Sequence, residues 1–231
     1  MTPLPPAPRA TVAAALTDIA ALGSFFSVAA GETGGAWRPV TDAYAEGLAH
    51  LVSERTARYG TREPRIAASI VQLGHAARLW SPVLGCLVLH GVLLDLGDLQ
   101  QEADGPGLRL PEPRGWTAPP GEAPISEIYR LVMTEHLARL AAGLRVKVAP
   151  RLLYGNAASA LAEAAREILR ARPVRGRDAG PLARSLLDTG DLRGTGVVTG
   201  PDLRFRRRSC CLYYRVPGAR KCGDCALDRA R

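Results

Sequence analysis

Aromatic side chains are scarce in this chain of 231 residues: Trp, Tyr and Phe together make up 5% of it. A core must then be filled largely by Ala and Leu, small and straight-chain residues that favour packed helices. Lysine is nearly absent, with Lys147 and Lys221 the only two, so the net charge of +8 is carried by arginine. An Arg-rich, Lys-poor composition need not signal nucleic-acid binding. Long apolar runs are missing as well. The most apolar stretch, Val83–Leu96, is too short for a bilayer and carries His90 and Asp95. Thr11–Ala30 is not read as an export signal, because Asp18 interrupts its apolar centre. A cytoplasmic protein without an integral membrane segment is therefore expected. No G-x-G-x-x-G or P-loop pattern occurs, so nothing supports a built-in NAD(P)H or nucleotide site.

What is present is enough for a core: 47% of residues are apolar, and a chain of this size can fold without disulfides. Residues 1–10, rich in proline, read as a flexible leader. Val12, Leu16, Ile19 and Phe26 recur at helical spacing and predict a helix running to the turn at Gly31–Gly35. Val40, Tyr44, Leu48, Leu51 and Val52 predict a second helix, ending near Gly60. Ile66, Ile70, Leu73 and Ala77 predict a third, with a break at Pro82 before a short apolar helix. Leu99–Glu102 and Leu108–Leu110 flank the turn at Asp104–Gly107 and predict a hairpin. Ser126 is the expected N-cap of a helix through Ile128, Val132, Leu137 and Leu140. The clearest helix runs from Leu153 to Ile168 and stops at Pro173, and a short one begins near Pro181. The fold class is therefore mainly α: a helical body over residues 11–195 with a small β-hairpin. An irregular C-terminal module over 196–231 packs on it.

The cysteines concentrate in that module. Cys210 and Cys211 are adjacent, ten residues separate them from Cys222, and Cys225 follows at C-x-x-C spacing. Pro217-Gly218 lets the chain turn back so that the pairs can meet. Clustered thiols without an export signal point to metal ligation rather than disulfides. Zinc would normally draw each pair from a C-x2–4-C element, and the first pair has no spacer. Two adjacent thiolates on one ion form a tight ring. A two-iron cluster relieves this if Cys210 and Cys211 bind different irons, although the order differs from the plant-type ferredoxin pattern. Spacing alone leaves zinc and iron–sulfur both open. Arg204, Arg206, Arg207, Arg208, Arg215, Arg220, Lys221, Arg229 and Arg231 crowd the same segment against only Asp224 and Asp228. A zinc-stabilised basic module that binds nucleic acid is thus one reading, weakened by the lack of interleaved stacking aromatics.

The run Phe205-Arg-Arg-Arg-Ser-Cys-Cys-Leu-Tyr-Tyr-Arg215 with Lys221-Cys-Gly-Asp-Cys-Ala-Leu227 closely resembles the C-terminal signature of FhuF-like ferric-siderophore reductases. Ser81-Pro-Val-Leu, His90-Gly91 and Tyr154-Gly-Asn-Ala-Ala-Ser-Ala-Leu161 look familial too, with Tyr154 standing where Trp is expected. The resemblance implies a [2Fe–2S] protein with Cys210, Cys211, Cys222 and Cys225 as cluster ligands. It also implies an enzyme that reduces Fe(III) held by a siderophore, and so serves iron transport and homeostasis. An external donor such as a ferredoxin or flavoprotein would supply the electron, and no nucleic-acid partner is expected. The chemistry is coherent, because hard oxygen donors hold Fe(III) far better than Fe(II). A non-catalytic iron–sulfur sensor or iron-transfer protein is a further alternative. Arg206, Arg207, Arg208 and Arg215 are the candidate residues for docking an anionic chelate or an acidic donor. Cys86, in an apolar helix, reads as a buried small hydrophobe. His50, His75, His90 and His136 form no ligand spacing, and Asn156 reads as a residue that caps or bridges helices.

Overall fold

A computed structural model of the chain describes residues 4–32, 34–119, 121 and 123–228. Residues 1–3 of the expected leader, Thr33 in the predicted Gly31–Gly35 turn, and the basic residues Arg229 and Arg231 lie outside the described residues. The fold is mainly α, with small β elements, as composition and periodicity predict.

Helix α1 (Arg9–Ala20) buries Val12, Ala15, Leu16 and Ile19, a stripe at helical spacing. It starts inside the expected leader, whose Pro5 carbonyl accepts from Thr117 N–H and whose Ala7 N–H donates to the Gly115 carbonyl. It also stops ten residues short of Ala30. Gly23 turns the chain at φ 139°, and a bond from Phe26 N–H to the Gly23 carbonyl folds Phe26 back onto the core.

After the short strands β1 (Ala29–Ala30) and β2 (Trp37–Pro39), the predicted second helix is two helices, α2 (Val40–Ala45) and α3 (Ala49–Tyr59). The break falls at Gly47 and Leu48, both at positive φ. Its cause is tertiary: a Cβ at Gly47 would strike the Gly143 carbonyl, and one at Gly143 would strike the Tyr44 carbonyl.

The centre of the molecule is α4 (Pro64–His90), which runs through Pro82 without the expected break. Proline there removes one backbone hydrogen bond and costs about 3 kcal/mol in an exposed helix. Leu79, Trp80, Ser81, Val83 and Leu84 are all buried around it, so packing holds the helix through the defect. Gly91, at φ 64°, ends the helix in the left-handed conformation that glycine adopts freely.

Strand β3 (Val92–Leu94) pairs antiparallel with β6 (Gly115–Thr117). The predicted hairpin is β4 (Gln100–Glu102) and β5 (Leu108–Leu110), paired antiparallel in a four-stranded sheet of order β1-β5-β4-β2. Helix α5 (Ile125–Tyr129) continues without a break through a π-helical stretch, Arg130–Leu137, into α6 (Ala138–Gly143). Pro124 stands at the N-cap, so Ser126 is inside the helix, its hydroxyl turned to the Glu127 carboxylate rather than to a backbone amide. Helix α7 (Pro150–Ala171) lies along α4, with α8 (Ala179–Leu187) against it. Strands β7 (Gly196–Thr199) and β8 (Arg204–Arg207) then form a hairpin packed on α7 and lead into the cysteine segment.

Candidate metal centre

The segment is aimed by alternation in β8. Phe205 and Arg207 face inward, and Arg204 and Arg206 face solvent. Gly196 is needed opposite, because a Cβ there would overlap the Phe205 ring. Beyond Arg208 the chain places Cys210 and Cys211 side by side. Leu212 takes a left-handed φ of 69°, and a 3₁₀ turn follows at Tyr213–Arg215. The turn at Pro217-Gly218 (Gly218 φ 74°) returns the chain to Cys222 and Cys225. The second pair is anchored on the first limb by Arg207 N–H, which donates to the Asp224 carbonyl at 3.1 Å. The Asp224 carboxylate accepts from the Ser159 hydroxyl of α7.

The two pairs do converge. Cys211 Sγ and Cys222 Sγ lie 3.5 Å apart. Leu212 N–H points at Cys210 Sγ at 3.3 Å, and Leu227 N–H at Cys225 Sγ at 3.4 Å. Cys211 and Cys225 are buried, while Cys210 and Cys222 are partly open to solvent. The Cys211–Cys222 hydrogen bond and nearby backbone amides pull Cys211 down to about 6, and the same hydrogen bond, with burial, pushes Cys222 up. Burial raises Cys210. Cys86 stands apart, fully buried in α4, where desolvation pushes its thiol up to about 12.

Two thiolates on one tetrahedral metal with metal–sulfur bonds of about 2.3 Å sit roughly 3.8 Å apart. The Cys211–Cys222 separation fits that distance. Among the described residues no three or more His, Cys, Asp or Glu side chains gather closely enough to hold a single ion.

Two unspent donors lie in the segment that leads into the cysteines. Arg207 is 3% exposed, and Nη2 donates to Asn156 Oδ1 at 2.5 Å. Its Nε and the Ser209 hydroxyl are buried without a hydrogen-bond partner. The thiolates of Cys211, Cys222 and Cys210 act on this guanidinium, opposing the fall in its pKa that burial causes. A buried cation with a free N–H near three of the thiols would offset the charge of a negatively charged cluster. Gly155 makes room for it, since a Cβ there would overlap the Ser209 hydroxyl and crowd Arg207 Nη2 at 3.3 Å.

This corrects the reading of Arg207 as a docking residue: alternation in β8 turns it inward, and α7 takes its donors. Arg206, Arg208 and Arg215 remain exposed. Arg206 reaches the Asp228 carbonyl, Arg208 the Gly194 carbonyl at 3.3 Å, and Arg215 the Glu63 carboxylate at 2.6 Å.

Asn156 bridges two helices as its sequence reading allows, but that reading missed Ser69, Gln72 and the platform they form with it beneath the centre. Asn156 Nδ2 donates to the Ser69 carbonyl and to Gln72 Oε1, each at 2.8 Å. The Ser69 hydroxyl donates to the Cys211 carbonyl at 2.8 Å. Ser69, Gln72 and Asn156 are all buried, so one polar network ties α4, α7 and the cysteine segment together. The signal was polar residues on otherwise apolar helix faces. Also unforeseen is a buried Tyr44 hydroxyl between His75 Nε2 (2.7 Å) and His136 Nδ1 (2.9 Å).

No curated protein matches the chain. Residues 207–227 match the family model of the FhuF 2Fe-2S C-terminal domain, a span that holds all four clustered cysteines and none of the helical body. Over these residues, where the cysteine pairs converge, the chain is similar to the FhuF 2Fe-2S C-terminal domain, and the match supports a [2Fe–2S] cluster as the cofactor.

Proposed function

We propose that Cys210, Cys211, Cys222 and Cys225 hold the cluster, and that the chain passes one electron to Fe(III) bound by a siderophore, releasing Fe(II). The observation that carries this reading is the convergence of both cysteine pairs inside the matched FhuF 2Fe-2S C-terminal domain. When bound, the cluster supplies one-electron transfer at a potential set by charge, exposure and hydrogen bonds to sulfur. The chain's residues govern each of these. Arg207 lowers the cost of gathering negative charge beneath α7. Leu212 and Leu227 direct backbone N–H groups at sulfur. Cys211 and Cys225 sit on the shielded side, and Cys210 and Cys222 on the side a bulky chelate can reach.

Fe(III) in hard oxygen donors needs only one electron to become labile, so no nucleophile or acid–base pair is required. The electron comes from an external donor such as a ferredoxin or flavoprotein, for which exposed Arg206, Arg208 and Arg215 offer a positive docking face. No helix among the described residues is long and apolar enough to cross a membrane.

The test is anaerobic purification with assay of iron, acid-labile sulfide and zinc, then mixing of the dithionite-reduced protein with ferric siderophores and an Fe(II) trap. About two irons and two sulfides per chain, with Fe(II) trapped over many turnovers, is the expected result. A colourless protein carrying zinc alone overturns the proposal, and a cluster that never delivers Fe(II) leaves a sensor or iron-transfer role.

A further inference from the structure

A cavity of about 370 Å³ opens between α3, α4 and α7, within the range of roughly 300–1,000 Å³ usual for small-molecule sites. One end reaches Asp224, the neighbour of Cys225. Its two cations are Arg55 on α3 and Arg78 on α4. Both are half-buried, and among the described residues neither forms an ion pair. Arg55 Nη1 reaches only the Tyr59 hydroxyl, at 3.4 Å, and its Nε is buried with no partner. Arg78 Nη1 donates to the Gly74 carbonyl of its own helix at 3.0 Å, and its guanidinium lies 5.0 Å from the Phe25 ring centre.

The acids of the opposite wall are already engaged. Glu163 pairs with Arg166, Glu167 with Arg170, and Asp224 accepts from Ser159. Arg55 and Arg78 therefore face the cavity without an ion-pair partner among the described residues, while the Asp224 carboxylate at one end keeps its charge. The two arginines are close enough that Arg55, after burial itself, depresses the Arg78 pKa. Holding like charges together out of water is unfavourable until an anion arrives. Beside them Phe25, 42% exposed, adds a large apolar surface.

The cavity also communicates with the metal centre by a second route. Arg55 stacks over Tyr59 at 5.6 Å, and the Tyr59 ring meets the Tyr213 ring edge-on at 6.0 Å. Tyr213 lies two residues beyond Cys211. A ligand seated here would thus touch the neighbour of Cys225 directly and reach the segment after Cys211 only through Arg55 and Tyr59.

We infer that this cavity binds an anionic oxygen-donor chelate of a trivalent metal, with Arg55 and Arg78 engaging its charge and Phe25 its apolar edge. The identity of the metal as Fe(III) rests on the reductase proposal, whereas the preference for an anion rests on the unpaired arginines.

The probe is the gallium(III) tris(catecholate) trianion, which is redox-inert and therefore reports binding alone. Its affinity for the full-length holoprotein is measured by equilibrium dialysis with metal analysis. The comparison chelate is a gallium complex of a linear trihydroxamate carrying net positive charge. Wild type is expected to prefer the trianion, with affinity falling as salt rises. Arg55→Gln and Arg78→Gln are each expected to weaken it by about tenfold or more, the range of a lost charge-assisted hydrogen bond. Arg58→Gln, on the exposed face of α3, is expected to leave it unchanged.

Trianion binding that is absent, or unaffected by both cavity variants, overturns the inference. So does equal affinity of wild type for the cationic chelate, a comparison that needs no variant to fold. The two proposals fail separately: Fe(II) release without Arg-dependent binding removes the site but keeps the reductase, and Arg-dependent binding without Fe(II) release does the reverse.

Discussion

At the scale of single residues, Arg207 is the most consequential side chain outside the cysteines. It is buried, holds Asn156 at 2.5 Å, and keeps its Nε free beside the sulfurs. Reduction adds an electron to the site, so a fixed positive charge there favours the reduced state. Arg207→Met is expected to shift the reduction potential to more negative values, and Arg207→Lys to shift it less. Spectroelectrochemistry on the anaerobic protein checks this. Equal potentials in wild type and Arg207→Met would mean that the guanidinium is only a strut. Nothing in the triplet Arg206-Arg207-Arg208 distinguishes its middle member. The inward direction follows from strand alternation together with the asparagine waiting on α7. By contrast, the apolar neighbours of Cys86 were enough to read it as a core residue, because burial of a lone thiol needs only an apolar helix face.

At the scale of elements, two contacts between distant segments shape the helical body. The first is the close crossing of α2 and α6 at Gly47 and Gly143. Gly143→Ala forces a methyl into the Tyr44 carbonyl, and overpacking of this kind costs about 1–3 kcal/mol. A lower urea midpoint at unchanged m-value is the expected outcome. The second is the Tyr44 hydroxyl between His75 on α4 and His136 on the π-helical stretch. Burial first, then His136 and Arg78, holds His75 down to about 3. Burial and Arg139 hold His136 down to about 4. In the unfolded chain both imidazoles take up protons near 6.5. The unfolded state thus binds more protons between roughly 6.5 and 3. Stability from these groups is complete above that window and is lost as pH falls through it. Urea midpoints measured from pH 8 to pH 4 are expected to fall below about 6.5, and His136→Gln to flatten the slope. An equal slope in the variant would assign acid sensitivity to carboxylates instead.

At the scale of the whole molecule, the main apolar core runs from Val12 to Phe205. Beyond Phe205, the buried Cys211, Val216 and Cys225 lie outside it. The cysteine segment is therefore held by a few hydrogen bonds to α4 and α7 and by whatever its thiols ligate, whereas the helices have a core of their own. Stripping the metal with a chelator under reducing conditions is expected to leave far-UV circular dichroism nearly unchanged. The same treatment is expected to open the segment after Arg208 to proteolysis. Loss of most helical signal on metal removal would show that the body depends on the centre. This division also explains what was legible beforehand. Helix existence, the β4–β5 hairpin and the cysteine spacing that matches the FhuF 2Fe-2S C-terminal domain are written in local periodicity, turn residues and spacing, so the sequence alone determined them. Helix limits were decided elsewhere, by Gly143 against α2 and by the buried surroundings of Pro82, contacts that no local window contains. The same holds for the site. That four thiols sit within sixteen residues is a property of the chain. The choice of Arg207 as their counter-charge, the Ser69–Gln72–Asn156 platform and the unpaired Arg55 and Arg78 of the cavity arise only when α3, α4 and α7 pack. Burial turns ordinary polar side chains into fixed charges and donors, and burial is a tertiary property.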